Sequence, residues 1–554
     1  MKRPYDDVEG SSHSQKKRTK HASIDRLSSL SDELVLRIFT FIPVSQLVVC
    51  ERISHKYRAL ASDSQLWRKL YYHHFVAPRA SRLPYHGDGE RNSARQLTNV
   101  GRQNWLHEEH LVRTGSRTNW KRQYKTRHNW TKGTCAISEV EVADQPTVPP
   151  ILLQMQNGVI YMADKIDGLR AWSAAARKSV AQVMLPSNKA QPPPSCLAVD
   201  PSPDGDPETR VLIGFEDGSF SLYGRRYQQA GFRHLFHHGS SSNGSLSAAA
   251  LSWPYAVTLT ATQILSLYRF EPPASKESAS TGVAAPKLLH SLRSRTVWPP
   301  LSASLRPLSS GVTICIAYAL PTYLSGWTVG IQEIEVSSEG ILIRSRLASA
   351  VDQHYRPLAF SAPPVAPYLG SPPSGSANNA ASETIHIHTK PTSLSYTHPY
   401  LLVSHPDNTL TLYLVTSTRD ALEISAGSRL WGHTSSVSGA HIGRRGKAVS
   451  VSKRGDELRV WELEGGFGSN TAKKRLATGS LSVQIRAGAD EDACLRLNRT
   501  LASRVTSSCA KELREAGDTD FSLTRGWIGF DDENVVLLKE GSQGKQSLVV
   551  YDFT

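Results

Sequence analysis

The chain has 554 residues, 39% of them hydrophobic and 20% charged, which is too apolar for a wholly disordered polymer and enough for about three or four domain-sized units. Of its net charge of +15, +13 falls within residues 1–133, which hold 25 basic and 12 acidic side chains; basicity belongs to the N-terminal region and does not make the whole protein a polycation. The most apolar run, Val312 to Leu320, is stopped by Pro321 and falls well short of the roughly 18 apolar residues of a spanning helix, so no membrane association is expected.

Six scattered cysteines, at 50, 135, 196, 315, 494 and 509, include no C-x-x-C pair and no local Cys/His cluster. That usage suits a reducing compartment. The N-terminus, MKRPYDDVEG, carries charge where a signal peptide would need an apolar run. The sequons at Asn129, Asn243 and Asn498 therefore read as chance matches.

Residues 1–23 are polar and rich in Lys, Ser and His, and should form a disordered basic tail. Residues 24–75 change character. Ser31, Asp32 and Glu33 open a helix by capping and by charge at its positive end. Leu34, Val35, Ile38, Phe39 and Ile42 then share one face, and Pro43 ends the helix. A second helix is expected from about Ser45, with Leu47, Val48, Ile53 and Tyr57 as apolar positions, and a third with Leu66, Trp67 and Leu70. Residues 76–133 read as a linker, Pro/Gly/Arg-rich up to 100 and helical over 101–130, with Trp105, Leu106, Leu111, Trp120 and Tyr124 as anchors.

From about Thr134 to the C-terminus the pattern is β-rich. Seven similar units recur: 158–173, 211–224, 256–270, 312–336, 401–415, 448–463 and 534–553. In most, a strand of small or β-branched residues meets an Asp, Gly or Asn turn, and a second, alternating strand ends in Trp or Tyr. Repetition of such a unit predicts a β-propeller with seven blades. The inserted stretches 271–287, 361–382 and 484–520 should be surface loops.

Residues 30–71, LSDELVLRIFTFIPVSQLVVCERISHKYRALASDSQLWRKLY, resemble the F-box. The points of likeness are Leu30, Glu33-Leu34, Ile38-Phe39, Ile42-Pro43, Cys50, Tyr57 and Leu66-Trp67. Ser31 replaces the usual Pro and Tyr57 the usual Trp; Ser caps a helix well, and Tyr keeps an aromatic plug. Residues 432–462 resemble a WD repeat. Gly432-His433 opens it and Trp461-Glu462 closes it, with Ser450 or Ser452 available for the internal hydrogen-bond network and Asp456 one place off the usual turn Asp. Tyr223, Tyr268, Tyr413 and Tyr551 stand where other repeats would carry Trp. Together the chain resembles the F-box/WD-repeat family: a three-helix F-box module and helical linker in front of an all-β propeller, an α+β multidomain chain.

That resemblance implies a substrate-recruiting adaptor of a Skp–cullin–F-box ubiquitin ligase. Leu30, Leu34, Ile38, Phe39, Pro43, Leu66 and Trp67 would meet a Skp-type adaptor and, through it, a cullin ligase. A module this small cannot bury all its large apolar side chains internally, which points the same way. The propeller would hold the protein substrate. Lys453 and Arg454 lie in a turn on the face that related propellers use, and arginine there could grip a phosphorylated segment bidentately. His433 and Trp461 are structural members of the blade network. Residues 119–133, NWKRQYKTRHNWTKG, resemble the segment that enters the propeller in this family: Trp120, Tyr124 and Trp130 would pin it and Gly133 would start the first strand.

Lys2-Arg3, then Lys16-Lys17-Arg18 and Lys20 resemble a bipartite nuclear import signal, implying a nuclear protein with a share in the cytoplasm. No phosphate loop, G-x-S-x-G, HExxH or zinc spacing is present in the sequence, so no catalytic residue, metal or cofactor is expected. His386 and His388 read as surface histidines. A different class of function, a non-ligase nuclear scaffold or nucleic-acid-associated propeller, would use residues 1–133 as its contact.

Overall fold

The computed structural model describes residues 30–76, and 118–554 apart from 146, 186–191, 202–207, 227–230, 272–282, 295–297, 322–325, 351–388, 419, 444–445, 454, 456, 464–481, 488–526 and 541–544. The basic tail with its candidate import residues, His386, His388, Arg454 and Asp456, and nearly all of the three inserted stretches lie outside the described residues. The described chain forms two compact units. One comprises residues up to Phe75 with Asn119–Lys121, the other Arg122–Thr554.

The first unit is helical: α1 Asp32–Phe39, α2 Val44–Cys50, α3 His55–Ala61 and α4 Ser64–Tyr71, followed by a π turn over Tyr72–Val76. The expected second helix is thus two. Ser54 adopts an extended backbone (φ −154°) and its side chain accepts the Tyr57 N–H, so the chain stops and restarts with a fresh N-cap. Asp63 does the same for α4, accepting from the backbone of Gln65 and Leu66. Between the helices, Phe39 meets the edge of Tyr57 at 6.0 Å, and Trp67 Nε1–H donates to the Ala61 carbonyl at 2.7 Å. Trp120 packs here too, against Tyr71 and Tyr72, and Lys121 pairs with Glu51 at 2.6 Å.

The second unit begins with the remainder of α5 (Trp120–Lys132) and continues as seven sheets. Blade 1 comprises Leu152–Gln156, Val159–Asp164, Gly168–Ser173 and Lys178–Val183. Blade 2 comprises Pro194–Val199, Glu208–Phe215, Phe220–Arg226 and Arg233–His238. Blade 3 comprises Leu246–Ser252, Tyr255–Thr260, Ile264–Arg269 and Lys287–Arg293. Blade 4, with the longest strands, comprises Trp298–Leu308, Gly311–Pro321, Trp327–Ser337 and Leu342–Ser349. Blade 5 comprises Ser393–Thr397, Tyr400–Ser404 and Leu410–Ser417, whose outer edge takes both Leu422–Ile424 and Ser428–Leu430. Blade 6 comprises Val437–Ile442, Lys447–Ser452, Leu458–Glu462 and Ser482–Gln484. Blade 7 comprises Ile528–Phe530, Asn534–Glu540, Gln546–Asp552 and, as its outermost full strand, Thr134–Ala143.

We label the strands a to d in the order given. The a strands of successive blades touch, and blade 7 returns to blade 1, which closes the ring and removes the sheet edges that an open array would present. Each of the seven sequence units maps onto one b–c hairpin. The core lies between blades: Val257, Leu259 and Leu267 of blade 3, for example, meet Val312, Ile314 and Ile316 of blade 4. Closure depends on strand d of blade 7 coming from the other end of the unit, in register Ala136 with Asp552 through Val140 with Leu548.

Candidate functional site: an apolar helical surface

In the helical unit the amphipathic pattern divides the large apolar residues into two sets. Val35, Phe39, Leu47, Tyr57, Leu66, Trp67, Leu70 and Tyr71 are buried. Leu34, Ile38, Phe41, Val48, Val49 and Ile53 are exposed, Phe41 by 80% and Ile53 by 62%. The reason is geometric. α1 and α2 are apolar on two faces, and helices of seven or eight residues can turn only one face inward. Six large exposed apolar side chains in some twenty residues exceed the scattered exposure of an ordinary surface.

Of the residues named from the sequence, Leu34, Ile38 and Pro43 are exposed and Leu30 is half-buried. Phe39, Leu66 and Trp67 belong to the unit's own interior, because their positions face Tyr57 and the α3–α4 junction. Phe41, Val48, Val49 and Ile53 join the exposed set. For Phe41, Val48 and Val49 the signal was the largely apolar run Phe41 to Cys50, too continuous for one buried stripe.

An open groove beside this surface is lined by Val48 and Ile53 with Ser54, Arg52, His55, Arg58 and Glu51, the last paired with Lys121. Lys56 fixes the start of α1, donating to the Leu30 carbonyl at 3.0 Å and pairing with Asp32 at 3.2 Å. The face is therefore apolar at its centre and basic at one rim.

The propeller carries the WD-type network in blade 6. His433 Nε2 lies 2.6 Å from Ser450 Oγ, which accepts Trp461 Nε1–H at 2.7 Å. The acid is Glu457, whose Oε2 stands 3.4 Å from His433 Nδ1 and accepts the Thr434 N–H at 2.8 Å. Burial works against the Glu457 carboxylate, but hydrogen bonds from Thr434 and Arg459 hold its pKa below the usual range. Blade 5 has a partial counterpart missed by sequence reasoning: His405 Nε2 is 2.8 Å from Thr411 Oγ1, within a turn that Asp407 braces through Thr409. Lys453 is exposed in the blade 6 turn.

Within the same unit, Trp130 of α5 stacks on Phe553 at 4.0 Å and donates Nε1–H to the Asp532 carbonyl. Trp120, expected beside it, belongs to the helical unit. The basic residues of α5 are largely engaged: Arg122 with Glu533 and Arg127 with Glu462. Among the described residues no group of three or more His, Cys, Asp or Glu is placed to hold a metal, and no helix is long and apolar enough to cross a membrane.

The family model for the F-box protein pof12 beta-propeller matches residues 135–554, three-quarters of the chain. The chain belongs to that family. A model described as F-box-like matches residues 27–73, over the helical surface just described, so this is an F-box protein with a propeller. The segment 42% identical to F-box protein pof12 of Schizosaccharomyces pombe is 64 residues long and covers 12% of this chain and 14% of that protein. A segment of 47 residues is 30% identical to F-box protein dre-1 of Caenorhabditis elegans, covering 8% of this chain and 5% of that one. The chain thus spans only a small part of either curated relative. Solved structures similar to this F-box propeller include the WD40 propeller of Doa1 (10% identity, TM-score 0.36, 75% of this chain and 96% of that one). The propeller of Myceliophteria thermophila Cps50 (Swd1) is similar at 10% identity and TM-score 0.37, over 76% of this chain and all of the other.

Proposed function

We propose that this F-box protein is a non-catalytic adaptor. Its helical unit docks a Skp-type adaptor of a cullin ubiquitin ligase, and its propeller binds the protein to be ubiquitinated. The observation that carries the reading is the exposed set Leu34, Ile38, Phe41, Val48, Val49 and Ile53 on a unit whose own core is already filled by Phe39, Tyr57, Leu66 and Trp67. A partner helix laid across that set would remove it from water, at about 25 cal/mol per Å² of apolar surface buried. The adaptor acts by proximity: it raises the effective concentration of the target near an activated ubiquitin and makes or breaks no bond itself.

The test is co-purification of a Skp adaptor with the full chain and with Leu34→Asp/Ile38→Asp. Both positions are exposed, so the variant should keep the wild-type melting curve. Retention by the wild type and loss in the variant supports the reading; equal retention by both, or none by the wild type, overturns it. As part of the same proposal, the cluster Lys2, Arg3, Lys16, Lys17, Arg18 and Lys20 directs nuclear import, which replacement of these residues by Ala should abolish.

A further inference from the structure

We propose that the outer edge of blade 4 pairs with the same edge of a second copy of this chain, the two strands running antiparallel about a two-fold axis at Ser345. The inference stands apart from the adaptor reading and uses no residue of the helical unit.

Strand d of blade 4, Leu342–Ser349, is the outermost of its sheet. Among the described residues it pairs with Trp327–Ser337 on one side and with no strand on the other. Such an edge is ordinarily blunted by charge, by proline or by a covering element. The other outer strands that expose side chains each place a charged residue, a His or a Gln there: Lys178, His234, Arg293, Glu423, Gln484 and Glu139. In blade 4 the exposed positions are Leu342, Ile343, Ser345 and Leu347, with Ile343 at 50% and Leu347 at 41%. Its two arginines lie on the face toward blade 5. There Arg344 pairs with Glu335 at 2.9 Å and Arg346 with Glu333 at 2.7 Å, and Arg346 also donates to the Thr418 and Ala421 carbonyls. Leu347 and Ser345 stand opposite Gln332 and Ile334 on the face toward blade 3, and Gln332 Nε2 donates to Ser345 Oγ at 3.1 Å. Glu339, exposed in the turn before the strand, lies outside the segment that pairs.

The occupant follows from the order of the residues. Ile343-Arg344-Ser345-Arg346-Leu347 reads nearly the same in both directions. Set antiparallel to itself about Ser345, the strand brings Ile343 of each copy opposite Leu347 of the other on the exposed face, and Arg344 opposite Arg346 on the other face. The two Ile–Leu pairs close one apolar strip across the junction. The facing arginines arrive neutralised, because each already holds a carboxylate of its own sheet. Across the junction the row is Glu335 and Arg344 of one copy, then Arg346 and Glu333 of the other, two acids flanking two bases with no net charge. A slip of one residue would set Ile343 against Arg346 and turn the second copy's apolar face to the wrong side, so the register is specified. Self-complementarity of this kind is what a two-fold contact between identical chains requires. A contact built on a single strand pair falls at the low end of specific interfaces, below about 1,200 Å² in total, so the dimer should be weak, with a dissociation constant on the order of micromolar.

The test is sedimentation of the full-length chain across a range of concentrations on either side of the micromolar, where the mass should rise from one chain to two. Ile343→Lys/Leu347→Lys restores the charge that such edges ordinarily carry, and should raise the dissociation constant by roughly tenfold or more while the melting curve stays that of the wild type. Ile343→Val/Leu347→Ile should keep the dimer. Ser345→Cys reads the register: opposite Cβ atoms lie about 5 Å apart, so mild oxidation should link two copies well above the level that the native cysteines give in the wild type. Ile343→Cys should not link, since its two copies stand roughly 13 Å apart along the strands. Leu34→Asp/Ile38→Asp should dimerise like the wild type. A single-chain mass at every concentration overturns the proposal, as does a dimer left intact by Ile343→Lys/Leu347→Lys. Linking of Ile343→Cys as readily as Ser345→Cys also overturns it, and so does loss of the dimer in Leu34→Asp/Ile38→Asp, which would put the contact on the helical unit.

Discussion

His433 Nε2 stands 2.6 Å from the Ser450 hydroxyl in the closed interior of blade 6. Trp461 can only donate to that oxygen, and the Glu457 carboxylate 3.4 Å from His433 Nδ1 favours the imidazole proton on Nδ1, which leaves Nε2 to accept the hydroxyl hydrogen. One small side chain on strand b thereby joins the entry loop to strand c. Ser450→Ala would leave an indole N–H and an imidazole nitrogen unsatisfied in a dry site. Its expected cost is about 2 kcal/mol, the penalty for orphaning buried polar groups. Thermal unfolding should show the loss, and Ser450→Thr, which keeps the hydroxyl, should recover much of it.

The blade 5 turn gives a pH dependence. Burial, reinforced by Arg429 and opposed by Asp407, lowers the His405 pKa to about 4. The unfolded chain binds a proton near pH 6.5, whereas the folded chain resists it until about 4. Stability is therefore complete above the unfolded pKa and is lost as pH falls through that window, by on the order of 2–3 kcal/mol at its lower end. Urea unfolding at pH 7.5 and 4.5 should show a smaller difference for His405→Gln than for wild type. An equal difference in both would mean that His405 does not titrate as its burial requires.

The seven b–c hairpins were legible because alternation, a turn residue and a closing aromatic are local signals. The F-box-like stretch was legible for the same reason. What failed was non-local. Nothing near Ala136 announces that it will pair with Asp552. Nothing in RISHKY tells that Ser54 will leave the helix and recap it. That Glu457 is the carboxylate facing His433 was not legible either, since turn geometry and not a local sequence signal brings it there. For Phe39 and Trp67 the residue type was read correctly and the direction was not, because an apolar residue on a two-faced helix carries no mark of which face meets its own core.

Gly133 joins α5 to the first strand at φ +70°, and a Cβ there would lie 2.4 Å from the Gln484 carbonyl oxygen. Both the left-handed backbone and the contact exclude a side chain. Gly133→Ala should cost more than the roughly 1 kcal/mol of backbone strain alone, because strand Ser482–Gln484 must also retreat. Limited proteolysis near residues 482–487 should quicken in this variant, while Lys132→Ala, one position earlier, should behave as wild type.

Glu333 is buried in the face of blade 4 that meets blade 5, where its carboxylate accepts from Arg306 at 2.9 Å, Arg346 at 2.7 Å and the Ser417 hydroxyl at 2.7 Å. Cys315 adds a thiol donor at 3.7 Å, and burial pushes that thiol up to about 12, so it stays protonated. The two arginines are not equivalent. Arg306 keeps 41% of its side chain in water, whereas Arg346 keeps 18% and also donates to the Thr418 and Ala421 carbonyls. Removing Glu333 leaves Arg346 as a charge in a poorly solvated site, so Glu333→Leu should cost about 3 kcal/mol or more. Arg306→Ala should cost well under that, since its pair is open to solvent screening. Arg346→Ala should cost more than Arg306→Ala but less than Glu333→Leu, because it removes the less solvated ion pair and the donor to the Thr418 carbonyl while Glu333 keeps Arg306 and Ser417. Equal losses for Arg306→Ala and Arg346→Ala in chemical denaturation would show that solvent access does not set the strength of this cluster.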